Sequence, residues 1–526
     1  MIVIASAAYV GYELAAEFGE IPPCMLPLGN KPLLEWQVNA LRNRFPEEKL
    51  VLSLPHSYED SVGITKLLSE FNIQRISVPD GLKLAESLLF VINTAGGDDS
   101  LLRILHGDTL IDDLPTANDV VAVAPTQIDY EWEKEVLDSR EEVVWCGYFS
   151  FANKRLFTKY LALGRGDFVA AVRSYDENNR LTRYSTVQWY DLGHINTYFA
   201  SRSKITTERS FNLMKIKDGL VKKSGSIHKK ISAEVNWYLN IPTKIKVKTP
   251  QLLEYGDVEG MPYYVLEYLN LTPLNELFVH GRNPNFFWNK VFSHCDQFFL
   301  ECISPSHALT MQEENSFQQD VSKNKYDLIK AKTWTRLDEF AEQTAINLET
   351  PWKLNGRMLP SLHDIASRCV SVALEQPSIG GVMHGDFCFS NILFDSRADA
   401  IKVIDPRGIS HAGEFTIYGD ITYDLAKLMH SVVGLYDFIM AEMYHLDVIG
   451  AGCLSFEVLA DKRIAEIQQL FMERSFAGGT LQPSNGIPQV ILLFLSMLPL
   501  HADKPKRQLA LMANALRLFL AHEKKL

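Results

Sequence analysis

The chain has little of what marks several common protein classes. Its seven cysteines, Cys24, Cys146, Cys295, Cys302, Cys369, Cys388 and Cys453, include no pair at Cys-x-x-Cys spacing, which argues against a zinc site. Sparse, unpaired thiols suit a reducing compartment. The longest apolar run, Val490–Leu500, is shorter than a bilayer core requires. The opening Met-Ile-Val-Ile-Ala lacks the basic region and long apolar core of a secretory leader. Positive charge is not in excess either: the formal net charge is −12, so the chain has no general attraction for nucleic acid or anionic lipid. Local basic patches remain, from Lys215-Ile216-Lys217 to Lys229-Lys230. No internal repeat and no long low-complexity tract is evident. The expectation is a cytoplasmic enzyme without a transmembrane segment and without a nucleic-acid partner.

What is present is ample core material. The 526 residues are 47% hydrophobic and 22% charged, and that length exceeds what one core holds, so two or three domains are expected. The first two hundred residues alternate short apolar strands (Ile2–Ala5, Leu50–Leu54, Leu102–Leu105, Val120–Ala124) with helical patterns such as Pro32–Leu41. This alternation argues for an α/β sheet with helices on both faces. After Ser201-Arg202-Ser203-Lys204 the pattern changes. Phe211–Ser224 reads as two strands around Lys217-Asp218-Gly219, a helix carries Glu234 and Trp237, and Tyr263–Leu269 is a further strand. From about Leu271 the pattern is mainly helical, apart from residues 381–408.

That exceptional region carries chemistry. In His384-Gly385-Asp386-Phe387-Cys388-Phe389-Ser390-Asn391, four residues separate an aspartate from an asparagine, the spacing of a kinase catalytic loop. The chemistry needs a carboxylate to receive the proton of an attacking hydroxyl, and an amide oxygen on the same loop to reach Mg²⁺. Two strands, Asn391–Phe394 and Ile401–Ile404, form a hairpin that ends at Asp405, where a metal-binding carboxylate would sit. Any one of these acids alone would read as a surface turn residue; the ordered set reads as phosphotransfer. A strand lysine and a helix glutamate should complete it. Lys222 and Lys223 are the candidates, and strand alternation favours Lys223, with Val221 over the adenine and Glu234 as the helix partner. Arg209-Ser210-Phe211-Asn212 is the candidate phosphate loop. Leu266-Glu267-Tyr268-Leu269 is the candidate hinge, placing Glu267 at the nucleotide.

His-Gly-Asp-x4-Asn followed by Ile-Asp-Pro-Arg-Gly resembles the aminoglycoside phosphotransferase and choline kinase superfamily. The resemblance implies Asp386 as catalytic base and Asn391 and Asp405 as Mg²⁺ ligands. It gives His384 a structural role, and Tyr423-Asp424-Leu425-Ala426-Lys427 the role of buttressing the loop. Asp405 is not followed by an Ala-Pro-Glu segment, which argues against a protein kinase.

Three pieces of the first two hundred residues resemble sugar-nucleotide pyrophosphorylases and cytidylyltransferases: Ile21 to Leu34 with Leu26-Pro27-Leu28-Gly29-Asn30-Lys31-Pro32, Leu105-His106-Gly107-Asp108, and Trp189-Tyr190-Asp191-Leu192-Gly193. The resemblance implies Asp108 and Asp191 as Mg²⁺ ligands for a nucleoside triphosphate, CTP or UTP, and places Ser87 at the base and ribose. It departs at two cations: Glu13 stands near the family's loop arginine, and Cys24 stands at its catalytic lysine. Those cations neutralise the triphosphate, so their loss leaves two readings open, an unusual transferase or a binding module.

The expected fold class is α/β: an N-terminal nucleotidyltransferase-like (GT-A, Rossmann-like) domain over 1–205, then a bilobal protein-kinase-like domain of aminoglycoside phosphotransferase type. Its N-lobe would span 206–270 and its C-lobe 271–526. ATP and Mg²⁺ are the expected cofactors of the second domain. The partners are a small hydroxylated acceptor and nucleotides, and the sequence also allows a homo-oligomer. Resemblance to fused choline-kinase-like and cytidylyltransferase-like proteins implies bacterial surface polysaccharide, or capsule, synthesis.

Overall fold

The computed structural model describes residues 1–97, 100–126, 130, 132–137, 139–208, 214–225, 228–303 and 311–525. The chain divides into two compact units, Met1–Glu208 with His280–Asn283, and Arg209–Val279 with Pro284–Leu526. The candidate phosphate loop, Arg209 to Asn212, lies outside the described residues, as does Phe211 at the start of the expected hairpin.

The first unit is built on a mixed sheet. Its strand order is Ile73–Val78, Leu50–Pro55, Ile2–Ala5, Leu102–His106, Glu142–Phe151, Val120–Ala124, Thr182–Ser185. The first four strands are parallel, and Glu142–Phe151 runs against both of its neighbours. Leu50–Pro55 and Val120–Ala124 are buried along their whole length, which is why they read as continuous apolar runs rather than alternations. Helices Leu84–Ala95, Lys154–Leu163 and Phe168–Asn179 cover the sheet with Leu88, Val91, Phe157, Leu161, Val172 and Tyr175. Beyond Leu102–His106, the short strand Thr109–Ile111 pairs antiparallel with Trp189–Asp191, matching Thr109 to Asp191.

The smaller lobe of the second unit is an antiparallel sheet in the order Met214–Lys217, Leu220–Ser224, Met261–Glu267, Leu252–Val258, with the helix His228–Asn240. Asp218 and Gly219 both take left-handed backbone (φ 52° and 74°), the two-residue turn that matches strand twist in a hairpin. The larger lobe is mostly helical. Helices Asn285–Ile303, Ile421–Val432, Ile487–Met497 and Pro505–His522 carry much of its core. The hairpin Ile392–Asp395 and Ala400–Val403 sits among them.

Two features depart from the sequence reading. A four-stranded sheet interrupts the helical half: Arg357–Ser361, Pro351–Leu354, Cys453–Val458 and Tyr444–Gly450. Its strands alternate, Trp352 and Leu354 being buried and Pro351 and Lys353 exposed. The helical span Pro483–His501 is long and apolar enough to cross a membrane by length and composition, yet 78% of its apolar window is buried within the protein, as in a core helix.

Candidate active sites

In the second unit the residues 384–391 are shaped from behind. Asp424, fully buried on the Ile421–Val432 helix, accepts the backbone N–H groups of His384 (2.7 Å) and Gly385 (2.7 Å). Burial pushes its carboxyl up, to about 7, against those two donors. His384 is also fully buried, and burial lowers its imidazole to about 4, so it is neutral near pH 7. Its Nδ1 accepts the N–H of Asp386 at 3.3 Å. Gly385 is needed here: φ is +80°, and a Cβ would lie 2.5 Å from that of Arg407.

Asp386 is the focus of the loop. Asn391 Nδ2 donates to its carbonyl (2.9 Å) and to its Oδ2 (3.0 Å), and Lys427 Nζ lies 2.8 Å from its Oδ1. Burial, the largest single influence, works against the carboxylate, but Lys427, His384 and Arg407 together outweigh it and hold the group down to about 2. The side chain is still 43% exposed, so this charge opens to solvent. With Nδ2 committed to Asp386, the Asn391 amide oxygen accepts the Ser390 hydroxyl at 3.4 Å and has acceptor capacity left that a hard cation could use. Asp405 stands in left-handed backbone (φ 56°), a conformation tolerated by aspartate and concentrated at functional sites.

Lys223 ties the smaller lobe to this loop. Its Nζ is 2.9 Å from Glu234 Oε2 and 3.0 Å from Asp405 Oδ1. Glu234 is fully buried and also accepts the Tyr264 hydroxyl at 2.5 Å. Burial acts to lower the lysine's pKa, and Asp405 and Glu234 together raise it. The register explains the choice between neighbours: Lys223 lies opposite Tyr264, and Lys222 opposite Val265. Lys222 is therefore on the other face, exposed, with Nζ 3.9 Å from the centre of the Tyr263 ring, and the structure does not bring it to the cluster. Glu267 lies on that face as well. Its side chain accepts the Gln251 N–H at 3.1 Å, and its own N–H donates to the Gln251 carbonyl at 3.0 Å.

In the first unit, the Thr109–Asp191 register brings Asp108 and Asp191 together. A Cβ on Gly193 would lie 2.7 Å from Asp108 Oδ2 and 3.5 Å from Asp191 Oδ1. Burial, then the Asp108 charge, pushes Asp191 up to about 7, against hydrogen bonds from Thr197 (2.5 Å) and the Gly193 N–H. Two carboxylates in this relation suit a divalent cation. The two positions where the resemblance expects cations carry none. Glu13 is exposed, Cys24 is a buried thiol pushed up to about 12, and Lys31 is ion-paired with Glu35. Ser87 donates its hydroxyl to the Leu84 carbonyl of its own helix at 3.0 Å and is 5% exposed.

No family model and no curated protein sequence matches the chain. Solved structures do. The first part is similar to a nucleoside-diphosphate-sugar pyrophosphorylase from Vibrio cholerae, at 15% identity over 38% of this chain and 99% of that one, with a TM-score of 0.31. The second part is similar to a type VIII aminoglycoside-3'-phosphotransferase, at 17% identity over 48% of this chain and 84% of that one, TM-score 0.26. It is also similar to an ethanolamine kinase from Plasmodium vivax, at 14% identity over 56% of this chain and 76% of that one, TM-score 0.33.

Two positioning residues were missed in the sequence. In the sequence Lys427 reads only as the last residue of the segment that buttresses the loop, not as the ion partner of Asp386; its place one turn beyond Asp424 was the available signal. Gln37 was hidden among apolar residues of the Leu33–Arg44 helix. Fully buried, it donates to the carbonyls of His106 (3.0 Å), Gly107 (3.2 Å) and Thr109 (2.7 Å), clamping the backbone around Asp108. A lone glutamine on an otherwise apolar helix face was its signal.

Proposed function

We propose that the second unit is an ATP- and Mg²⁺-dependent phosphotransferase acting on an alcohol group of a small molecule. The observation that carries this is the joined set Lys223–Glu234–Asp405 and Lys427–Asp386–Asn391. Lys223 would hold the ATP phosphates, with Glu234 fixing the lysine. Val221 and Leu266, opposite one another on the same face as Lys223, would cover the adenine. Asn391 and Asp405 offer hard oxygens and would hold Mg²⁺, which neutralises charge on the phosphates when bound. Asp386, charged at neutral pH, would receive the proton of the acceptor hydroxyl.

The first unit, on the same reading, binds a nucleoside triphosphate, CTP or UTP, with Mg²⁺ at Asp108 and Asp191. It couples the phosphorylated product to a nucleotide, giving an activated sugar, polyol or amino alcohol for surface polysaccharide (capsule) synthesis. A second reading, a kinase whose first unit only binds a nucleotide or a partner, is favoured by the buried neutral thiol of Cys24 and by Glu13. The test incubates the full-length protein with Mg-ATP and a panel of hydroxylated metabolites, then with each nucleoside triphosphate. ADP release is expected with one acceptor class and should fall roughly 10²–10⁴-fold in Asp386→Ala. Undiminished turnover in a folded Asp386→Ala protein would reject the kinase assignment. Absence of pyrophosphate release with every triphosphate would favour the second reading.

A further inference from the structure

We infer that the acceptor phosphorylated by the second unit carries an anionic group, a carboxylate or a phosphate, which Lys332 and Arg407 hold beside Asp386. The inference rests on the kinase reading above and adds to it the charge of the substrate.

Cations approach Asp386 from separate parts of the lobe: Lys427 pairs with it, the Arg407 charge acts on it, and Lys332 reaches Tyr423 on the Lys427 helix. Lys332 and Arg336 are one turn apart on the helix Lys332–Thr344. Tyr423 and Lys427 are one turn apart on Ile421–Val432. Lys332 Nζ lies 3.1 Å from the Tyr423 hydroxyl, and Lys427 Nζ lies 2.8 Å from Asp386. Two contacts, joined through neighbouring turns of one helix, thus link Lys332 to the carboxylate that would receive the acceptor proton. Arg407 enters from the third direction: its N–H donates to the His384 carbonyl at 2.8 Å, and its Cβ packs where a side chain on Gly385 would begin.

Two of these charges are already answered within the fold. Lys427 is paired with Asp386, and Arg336 lies 2.7 Å from Glu339. Lys332 and Arg407 are not. Among the described residues, Lys332 has the neutral Tyr423 hydroxyl as its hydrogen-bond partner and no ion pair, and the Arg407 guanidinium has neither a hydrogen bond nor an ion pair. Lys332 is also buried enough that burial lowers its pKa. A half-sequestered ammonium without a counter-charge is costly, and a bound anion removes that cost.

The fields of these groups converge. Burial alone would raise Tyr423, yet Lys332, Lys427 and Arg407 bring it down to about 8. His411 is lowered by burial, then by Arg407, Lys332 and Arg336, with Asp327 opposing. An acceptor carrying an ammonium group would meet like charge here, whereas an acid or a phosphate would be drawn in. In the transfer itself, the acceptor oxygen forms a bond to the γ-phosphorus of ATP while the bond from that phosphorus to the bridging oxygen breaks. ADP leaves with that electron pair, and the acceptor's proton passes to Asp386.

The test uses the full-length protein with Mg-ATP and matched acceptors: glycerate against glycerol, gluconate against glucitol, glucose 6-phosphate against glucose, and choline and ethanolamine as cations. Turnover, read as ADP release, is expected only with anionic members, and the acid and phosphate arms distinguish the two anionic groups. With the preferred member, Lys332→Met should raise acceptor KM by roughly 10–100-fold, the effect of losing a charged hydrogen bond. ATP KM should stay within about twofold. Arg407→Gln is the second variant, should Lys332→Met fail to fold. Turnover of a neutral or cationic member in preference to its anionic counterpart overturns the inference. So does a panel in which no anion is phosphorylated, or variants that alter ATP KM in place of acceptor KM. Calorimetry with Mg-ATP alone separates the two levels: a protein that does not bind it fails as a kinase, and one that binds it but fails the anion panel loses only this inference.

Discussion

At the scale of single residues, the pair Lys427–Asp386 would, on the kinase reading, decide the pH range in which the second unit works. Asp386 is held to about 2 chiefly by Lys427, because burial alone would raise it. A lowered carboxylate is ionised throughout the range above its folded value, so Asp386 produces no acid limb in kcat/KM above about pH 3. Lys427→Met removes the first of the opposing causes and lets burial act. The expected outcome is a fall in kcat together with an acid limb that moves up to about pH 5 or higher, read from the pH profile of kcat/KM. A fall in kcat with an unshifted profile would mean that Lys427 only supports the fold. The choice of Lys223 over Lys222 was legible in the sequence, because a strand's period of two puts one lysine on each face. Lys427 was not legible as Asp386's partner, because pairing between a helix and a distant loop is set by tertiary packing rather than by spacing.

At the scale of elements, the site depends on how closely Asp405-Pro406-Arg407-Gly408 approaches the His228–Asn240 helix. Gly408 has φ +64°, and a Cβ there would lie 2.0 Å from the Ala233 carbonyl oxygen, beside Glu234. Gly408→Ala must displace that helix. It should therefore weaken Mg-ATP binding through the Lys223–Glu234 pair, with the acceptor left a minor effect; calorimetry that finds Mg-ATP affinity unchanged would contradict the coupling. A second element-level prediction concerns pH. Burial pushes Asp437, on the Tyr436–Met440 helix, up to about 7, and it is 4% exposed. A carboxyl raised in the fold gives stability that is complete below its unfolded value, about 4, and is lost as pH rises through its folded value. Asp437→Asn should raise Tm relative to the parent at about pH 8 and change it little at about pH 4, by thermal scans at both. The strands and helices around these sites were largely legible, being periodic. The four-stranded sheet in the helical half was not, although Asn355-Gly356, with both residues at positive φ (48° and 82°), carried the turn signal for its first hairpin. Its strands are short, and neighbouring helical patterns outweighed them.

At the scale of the whole molecule, each candidate set of site residues lies within one unit. Lys223, Glu234, Asp386, Asn391 and Asp405 belong to the second, and Asp108 and Asp191 to the first. The two acids of the first unit come from segments more than eighty residues apart, joined by the pairing of Thr109–Ile111 with Trp189–Asp191. Their convergence was expected from the sequence only through resemblance, since spacing alone does not bring distant acids together. Burial, with the Asp108 charge added to it, raises Asp191, a cost that a bound cation would offset. The neutral Cys24 and exposed Glu13 would leave a bound triphosphate with fewer positive partners, so on the proposed reading a metal would supply more of the charge stabilisation. The prediction is therefore a slow, strongly Mg²⁺-dependent transfer that is separable from the kinase. In the full-length protein, Asp108→Ala and Asp191→Ala should abolish Mg²⁺-dependent triphosphate binding and pyrophosphate release while ADP release continues. Asp386→Ala should do the reverse when the phosphorylated acceptor is supplied directly. If the Asp108 and Asp191 variants release pyrophosphate at the parent rate, the acids do not hold the metal. If the parent itself binds no triphosphate, the first unit is a binding or packing module, and the chain's chemistry reduces to phosphotransfer alone.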